Sequence, residues 1–131
     1  KEGQRIKYPN NVDDISIFQD EKIVELALSN LVHNALKYSP ENTTIEIVVK
    51  QDKTKTTFII IDQGIGIPQK DQKNIFNRYF RAENALLTQG TGIGLNIVKT
   101  HLENLGGDIK FESEEKKGTS FTFTLPNKAI I

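Results

Sequence analysis

Residues Glu25 to Ser39 read ELALSNLVHNALKYS, and the fold follows from where their apolar and polar positions fall once wound into a helix. At roughly 100° per residue, Val24, Leu28, Leu31, Val32, Ala35 and Leu36 gather on one side, with Asn30, Asn34 and Lys37 opposite them. The apolar side is core. The other side has two readings. It is either a half-exposed helix face that holds two amides, or a shelf for a nucleotide and its metal. An Asn side chain offers a neutral oxygen that can complete a Mg²⁺ shell already filled by phosphate oxygens and waters, and a Lys one turn on supplies a point charge for the same phosphates.

The rest of the chain frames that helix. At 131 residues and 37% hydrophobic content it reads as one domain with one core, large enough to fold without staples. It has no cysteine, which excludes disulfides and thiolate metal sites and fits a reducing compartment. Seventeen basic residues balance seventeen acidic ones, so there is no general electrostatic footprint for nucleic acid or an anionic membrane, and any anion must be held by a local site. No apolar run reaches the length of a membrane span, and KEGQRIKYP at the start lacks a signal-peptide core. The chain begins without methionine and ends in NKAII just past a strand-like segment, as an excised C-terminal domain would.

In order, Arg5 to Tyr8 and Ile15 to Phe18 read as short edge pieces separated by a Pro9-Asn10-Asn11 turn. The helix from about Asp20 to Tyr38 has an aspartate to cap it and Pro40 to stop it. Thr44 to Lys50 and Lys55 to Asp62 alternate as a hairpin with one covered face, and the second strand delivers Asp62 into the turn Gln63-Gly64-Ile65-Gly66-Ile67-Pro68. A short helix is predicted over Gln69 to Phe76, with Ile75 and Phe76 as its apolar contact. Arg81 to Gly92 lacks helical periodicity and reads as a lid with glycine hinges. Leu95, Ile97, Val98, Leu102 and Leu105 form a second large helix closed by Gly106-Gly107. Asp108 to Ser113 and Thr119 to Leu125 alternate as a second hairpin across a charged turn. Three helices on one face of a mixed sheet of about five strands, a two-layer α/β sandwich, satisfies both hairpins.

Three separated features thus converge: the Asn/Asn/Lys helix, the Asp-x-Gly-x-Gly turn and Gly90-Thr91-Gly92-Ile93-Gly94-Leu95 opening a helix. Glycines at such junctions make simple turns, or they let backbone N–H groups close on phosphate. In order and spacing the chain resembles the catalytic and ATP-binding domain of sensor histidine kinases. That family lies within the superfamily that also holds type II topoisomerases, heat-shock chaperones and mismatch-repair ATPases. Asn30 to Ser39 is similar to its asparagine box, Asp62 to Pro68 to its first glycine box, Ile75 to Arg81 to its phenylalanine box, Gly90 to Leu95 to its second glycine box, and Gly118 to Phe121 to its last strand.

The resemblance implies a Bergerat-type fold that binds ATP and Mg²⁺. It implies that Asn34 coordinates the metal, that Asn30 helps hold phosphates or metal waters, that Lys37 contacts phosphate and that Tyr38 lies against adenine or sugar. Asp62 would accept from the adenine amine, a partner that guanine replaces with an acceptor oxygen. Gly64, Gly66 and Ile67 would line the base, and Gly90, Thr91, Gly92, Gly94 and Leu95 would surround the phosphates. Arg81 would meet the γ-phosphate, with Arg78 as its alternative, and Thr119 would help bind adenine through water. Tyr79-Phe80 inverts the family's usual Phe-Tyr order. Hydrolytic branches carry a Glu where this chain has Asn30, so water attack is expected to be slow and the γ-phosphate kept for another acceptor.

That acceptor would be a histidine on a separate helical dimerisation domain, with a response regulator downstream. His33 and His101 read as surface residues. Leu86-Leu87 either pack on the domain or dock on that helical partner. The chain itself is expected to be a cytoplasmic monomer, with no nucleic-acid partner and no direct membrane contact. Two other readings remain open at this point: an ATPase clamp of the same superfamily, and a nucleotide-binding regulatory or protein-binding module without phosphotransfer.

Overall fold

Period-two alternation sends every second side chain of a strand to the same face, and the four long strands of this chain align their apolar sides in register. The computed structural model describes residues 6–7, 19–40, 42–76 and 94–127. Its elements are β1 (Ile6–Lys7), α1 (Glu21–Tyr38), β2 (Ile45–Gln51), β3 (Lys55–Ile61), a 3-10 helix (Gln69–Asn74), α2 (Gly94–Asn104), β4 (Asp108–Glu114) and β5 (Gly118–Pro126). They build one five-stranded sheet in the order β1-β2-β3-β5-β4. β1 runs parallel to β2, and the four long strands are antiparallel throughout.

The register lays Val49, Phe58, Phe123 and Ile109 in one row across the sheet, and Ile47, Ile60, Phe121 and Phe111 in the next. These rows form the sheet's half of the core, where the rings of Phe58 and Phe123 stack at 4.6 Å. The helical layer supplies Ala27, Leu31 and Ala35 from α1, with Val98 and Leu102 from α2. Phe76 sits edge-on to Phe111 at 5.9 Å and to Phe121 at 6.5 Å, which closes the core beyond the 3-10 helix.

Local chemistry sets the helix ends. Asp20 caps α1, its carboxylate accepting the Lys22 N–H at 2.9 Å, and Pro40 has no N–H with which to continue it. α2 closes with the paired bonds of a glycine cap, Gly106 N–H to Glu103 O at 3.0 Å and Gly107 N–H to Leu102 O at 2.8 Å. At the end of the sheet where β3 begins, the buried Thr56 hydroxyl donates to Asn127 Oδ1 at 2.6 Å and accepts from Gln51 Nε2 at 2.8 Å. The adjoining turn is wound around Asp52, whose Oδ1 accepts the N–H groups of Thr54 at 2.8 Å and Lys55 at 2.9 Å. Those donors hold its carboxyl below the usual range.

Two expectations change. Of three predicted helices, the described residues contain two α-helices and the six-residue 3-10 helix. The run QKDQKN has no apolar stripe to hold a longer helix, and its first turn closes in the tighter pattern, Asp71 N–H to Pro68 O at 2.8 Å. Ile97 is 38% exposed rather than core, because it falls about 120° around α2 from the line through Val98 and Leu102. The strand-like piece Ile15 to Phe18 and the lid Arg81 to Gly92 lie outside the described residues.

Phe123, fully buried, is expected to cost about 3–5 kcal/mol on truncation to Ala. Ile97→Ala should stay within about 0.5 kcal/mol. Urea unfolding of the two variants checks the contrast, and equal losses would contradict the assignment of the core.

Candidate functional site

β3 ends at Ile61, and Asp62 leaves the sheet as the chain turns through Gly64 and Gly66. Asp62 nevertheless stays tied to β5. Its N–H donates to Thr119 O at 2.9 Å, and its Oδ1 accepts the N–H of Thr119 at 3.1 Å and of Gly64 at 2.8 Å. Oδ2 makes no hydrogen bond among the described residues. Burial pushes this carboxyl above its ordinary 3.8, and the two backbone donors pull the other way. The result is a half-buried carboxylate with one oxygen fixed and the other unbonded among the described residues.

The turn is held on both flanks. Ile65 N–H donates to Tyr38 O, at the end of α1, at 3.2 Å, and Ile65 O accepts Lys116 N–H, from the β4–β5 turn, at 2.7 Å. These contacts explain the two glycines. A Cβ on Gly64 would lie 2.6 Å from Tyr38 O, and one on Gly66 would lie 2.1 Å from Glu114 O, on a backbone with φ of +71°. The demand for glycine here therefore comes from the protein's own close approaches.

The same contacts bring the last turns of α1 to the Asp62 end of the molecule. Along α1, Glu25, Ser29 and His33 are exposed, Ala27, Leu31 and Ala35 are buried, and Asn30, Asn34 and Lys37 are half-buried. The amide stripe thus runs along the margin of the core instead of standing fully exposed, on a helix that packs against both α2 and the sheet. Neither amide side chain makes a hydrogen bond among the described residues. Lys37 Nζ lies 5.5 Å from the centroid of the Tyr38 ring.

Two positions that hold the turn escaped the sequence reading. Ser113 Oγ accepts Ile67 N–H at 2.8 Å and lies 2.7 Å from Thr119 Oγ1 and 3.2 Å from Gly118 O. Gln72 Nε2 donates to Ile67 O at 3.0 Å and to Ser113 O at 3.1 Å. Both peptide groups of Ile67 are therefore stapled to the sheet. The signal for Ser113 was a hydroxyl at the third inward position of β4, after Ile109 and Phe111; nothing in the local pattern marked Gln72.

At the start of α2, which Gly94 opens, Leu95 packs against the core. Asn96 Nδ2 donates to Phe76 O at 3.1 Å, and Lys99 Nζ stands 4.9 Å from the Phe76 ring centroid. The N-terminus of α2 thus adjoins the end of the 3-10 helix. Arg81, Gly90, Thr91 and Gly92 lie outside the described residues, as do Arg78, Tyr79, Phe80, Leu86 and Leu87. Among the described residues no cluster of His, Cys, Asp or Glu could hold a metal, and no helix is long and apolar enough to cross a membrane.

A two-layer fold with an aspartate entering a glycine turn beside an amide-bearing helix defines a class, and residues 19–129 match the family of histidine kinase-, DNA gyrase B- and HSP90-like ATPases. The chain belongs to that family. Within it, the similarity is to the catalytic and ATP-binding domains of sensor histidine kinases. The sensor histidine kinase WalK of Bacillus subtilis is 39% identical over 131 aligned residues, which cover 95% of this chain and 21% of WalK. The adaptive-response sensory kinase SasA of Synechocystis is 34% identical over 96% of this chain and 33% of its own length. The nucleotide-free catalytic domain of histidine kinase ThkA superposes with a TM-score of 0.80 at 29% identity, over 96% of this chain and 83% of that one. The chain spans 21% to 33% of the length of these curated relatives.

Burial of Asp62 has a thermodynamic sign. The folded state keeps the Asp62 proton to a higher pH than the unfolded chain does. Its contribution to stability is therefore fully present below the ordinary value of 3.8 and is lost as pH rises through the folded value. Asp62→Asn keeps an oxygen for the Gly64 and Thr119 donors and removes the buried charge. Its melting temperature relative to the unmodified chain should rise across that window and level off above it. A difference independent of pH would contradict the burial effect.

Proposed function

We propose that the chain binds ATP with Mg²⁺ and presents the γ-phosphate to a histidine on a separate helical domain, from which the phosphoryl group passes to a response-regulator aspartate. The observation that carries this reading is the Asp62 carboxylate, with Oδ1 fixed by two backbone amides and Oδ2 left for one more donor. An exocyclic amine fits that oxygen. A guanine carbonyl would set an acceptor against an acceptor in a half-buried place, where the mismatch costs most.

The phosphate end rests on α1. Asn30 and Asn34 present neutral amide oxygens along the core margin, a donor set suited to an oxygen-preferring Mg²⁺ that keeps phosphate and water ligands. The absence of a carboxylate cage among the described residues is in keeping with a metal that arrives with its nucleotide. When bound, Mg²⁺ neutralises phosphate charge. Lys37 adds a cation at the same end, and Tyr38 offers a ring for the base or sugar. Ile67, Gly94, Leu95 and Thr119 belong to the same proposed pocket, together with Arg81, Gly90, Thr91 and Gly92.

Asn30 supports transfer over hydrolysis, since an amide cannot take a proton from attacking water. The domain's contribution is positioning and charge neutralisation. The similarity to sensor kinases supports a cytoplasmic setting, with the helical domain as the acceptor. The isolated chain is not expected to phosphorylate itself, because neither His33 nor His101 fits the acceptor role.

Calorimetric titration with a non-hydrolysable ATP analogue, with and without Mg²⁺ and against GTP, tests the reading. Adenine-selective, Mg²⁺-aided binding is expected. Asp62→Asn should weaken it by roughly tenfold or more, since an amide N–H₂ would then face the base amine. Asn34→Ala should abolish the Mg²⁺ dependence. Equal affinity for ATP and GTP would remove the basis of the proposal.

A further inference from the structure

Ser113 is the point where the base end of the site is wired together, and a proton count shows what it can do. A hydroxyl has one proton and two lone pairs. Ile67 N–H occupies one lone pair of Ser113 Oγ at 2.8 Å. The single proton has two possible destinations, Gly118 O at 3.2 Å or Thr119 Oγ1 at 2.7 Å. If it goes to Gly118, the Thr119 hydroxyl must donate to Ser113, and Thr119 can offer a ligand only lone pairs. If it goes to Thr119, the Thr119 proton is released and that hydroxyl becomes a donor.

Thr119 stands where that choice matters. Its N–H and C=O are both bonded to Asp62, so its hydroxyl is held at a fixed place relative to the carboxylate that would take the base amine. In adenine the amine is flanked by the ring nitrogens N1 and N7, which are acceptors only. A donor hydroxyl suits them, and a hydroxyl restricted to accepting repels them.

We infer that Ser113 is a positioning residue for nucleobase recognition: it accepts Ile67 N–H and donates its own proton to Thr119, turning the Thr119 hydroxyl outward as a donor to an adenine ring nitrogen, directly or through one water. This deepens the ATP-binding reading and rests on it. No covalent bond is broken in the switch; the hydrogen bond to Gly118 O is exchanged for one to Thr119 Oγ1. The Ser113 proton rotates from Gly118 O to Thr119 Oγ1, and the Thr119 proton rotates from Ser113 to the ligand side. The shorter of the two Ser113 distances is the one used in the bound arrangement.

The test pairs residue changes with ligand changes. Affinities of ATP, 1-deaza-ATP and 7-deaza-ATP, each lacking one ring acceptor, are measured by calorimetry for the unmodified chain, Ser113→Ala, Ser113→Thr and Thr119→Val. Expected is a roughly five- to tenfold loss of ATP affinity in Ser113→Ala and Thr119→Val. One deaza analogue should bind the unmodified chain more weakly by a similar factor and lose little more in either variant, the signature of two changes removing one interaction. Ser113→Thr, which retains the hydroxyl, should restore the discrimination. Thr119→Val leaves the Ser113 to Ile67 bond in place, so it reads the hydroxyl even if Ser113→Ala loosens the turn. Equal losses for all three ligands would make Ser113 a scaffold residue and overturn the assignment, as would an unmodified chain that binds both deaza analogues as tightly as ATP. Failure of the unmodified chain to bind ATP at all would instead sink the ATP-binding reading, and this assignment with it.

Discussion

One carboxylate oxygen, Asp62 Oδ1, receives two backbone amides, that of Gly64 two residues on and that of Thr119 57 residues on. The end of β3, the glycine turn and the last strand take their relative positions from that junction. It sets opposing effects against each other. Burial raises the free energy of the charge, while preset N–H dipoles lower it without any reorganisation. The carboxylate that results is tethered through Oδ1, while among the described residues Oδ2 receives no donor, the condition in which a further donor gains most. The hydrophobic row that runs through Ile60 and Phe121 lies next to the junction and holds it in place.

Most of the scaffold was legible in the sequence because it rests on periodicity. The α1 helix, its Asp20 cap, both hairpins and the delivery of Asp62 into a glycine turn all follow from local patterns, and the strand register only had to align alternations already visible. What periodicity could not give was azimuth and distance. Asn30 and Asn34 were placed on the polar side of α1, and only the fold shows that they are half-buried rather than exposed. The 3-10 helix and exposed Ile97, by contrast, follow from the local pattern read more closely: QKDQKN carries no apolar stripe, and Ile97 lies off the line through Val98 and Leu102.

The site was legible to the same extent. Asp62 announced itself as a carboxylate in a turn that otherwise needs none, and Gly64 and Gly66 were visible as glycines. Their reason was not, because it is the carbonyls of Tyr38 and Glu114 that leave no room for a Cβ. Ser113 and Gln72 act on Ile67 across 46 and 5 residues. Ser113's inward register on β4 was the one hint available, and only the fold turns that hint into contacts.

The strand order has a temporal meaning. β5 is the last of the described strands in sequence yet lies between β3 and β4, so it is inserted into the sheet instead of being added at an edge. During synthesis, β2 and β3 can pair as a hairpin as soon as they emerge, and α1 can wind, but the inner row remains interrupted until Phe121 and Phe123 arrive. The same insertion delivers Thr119 to Asp62. A nascent chain that stops short of this strand therefore lacks the junction between Asp62 and Thr119. Completion of the core and completion of the Asp62 corner become a single late event, with non-local pairing as its slow step.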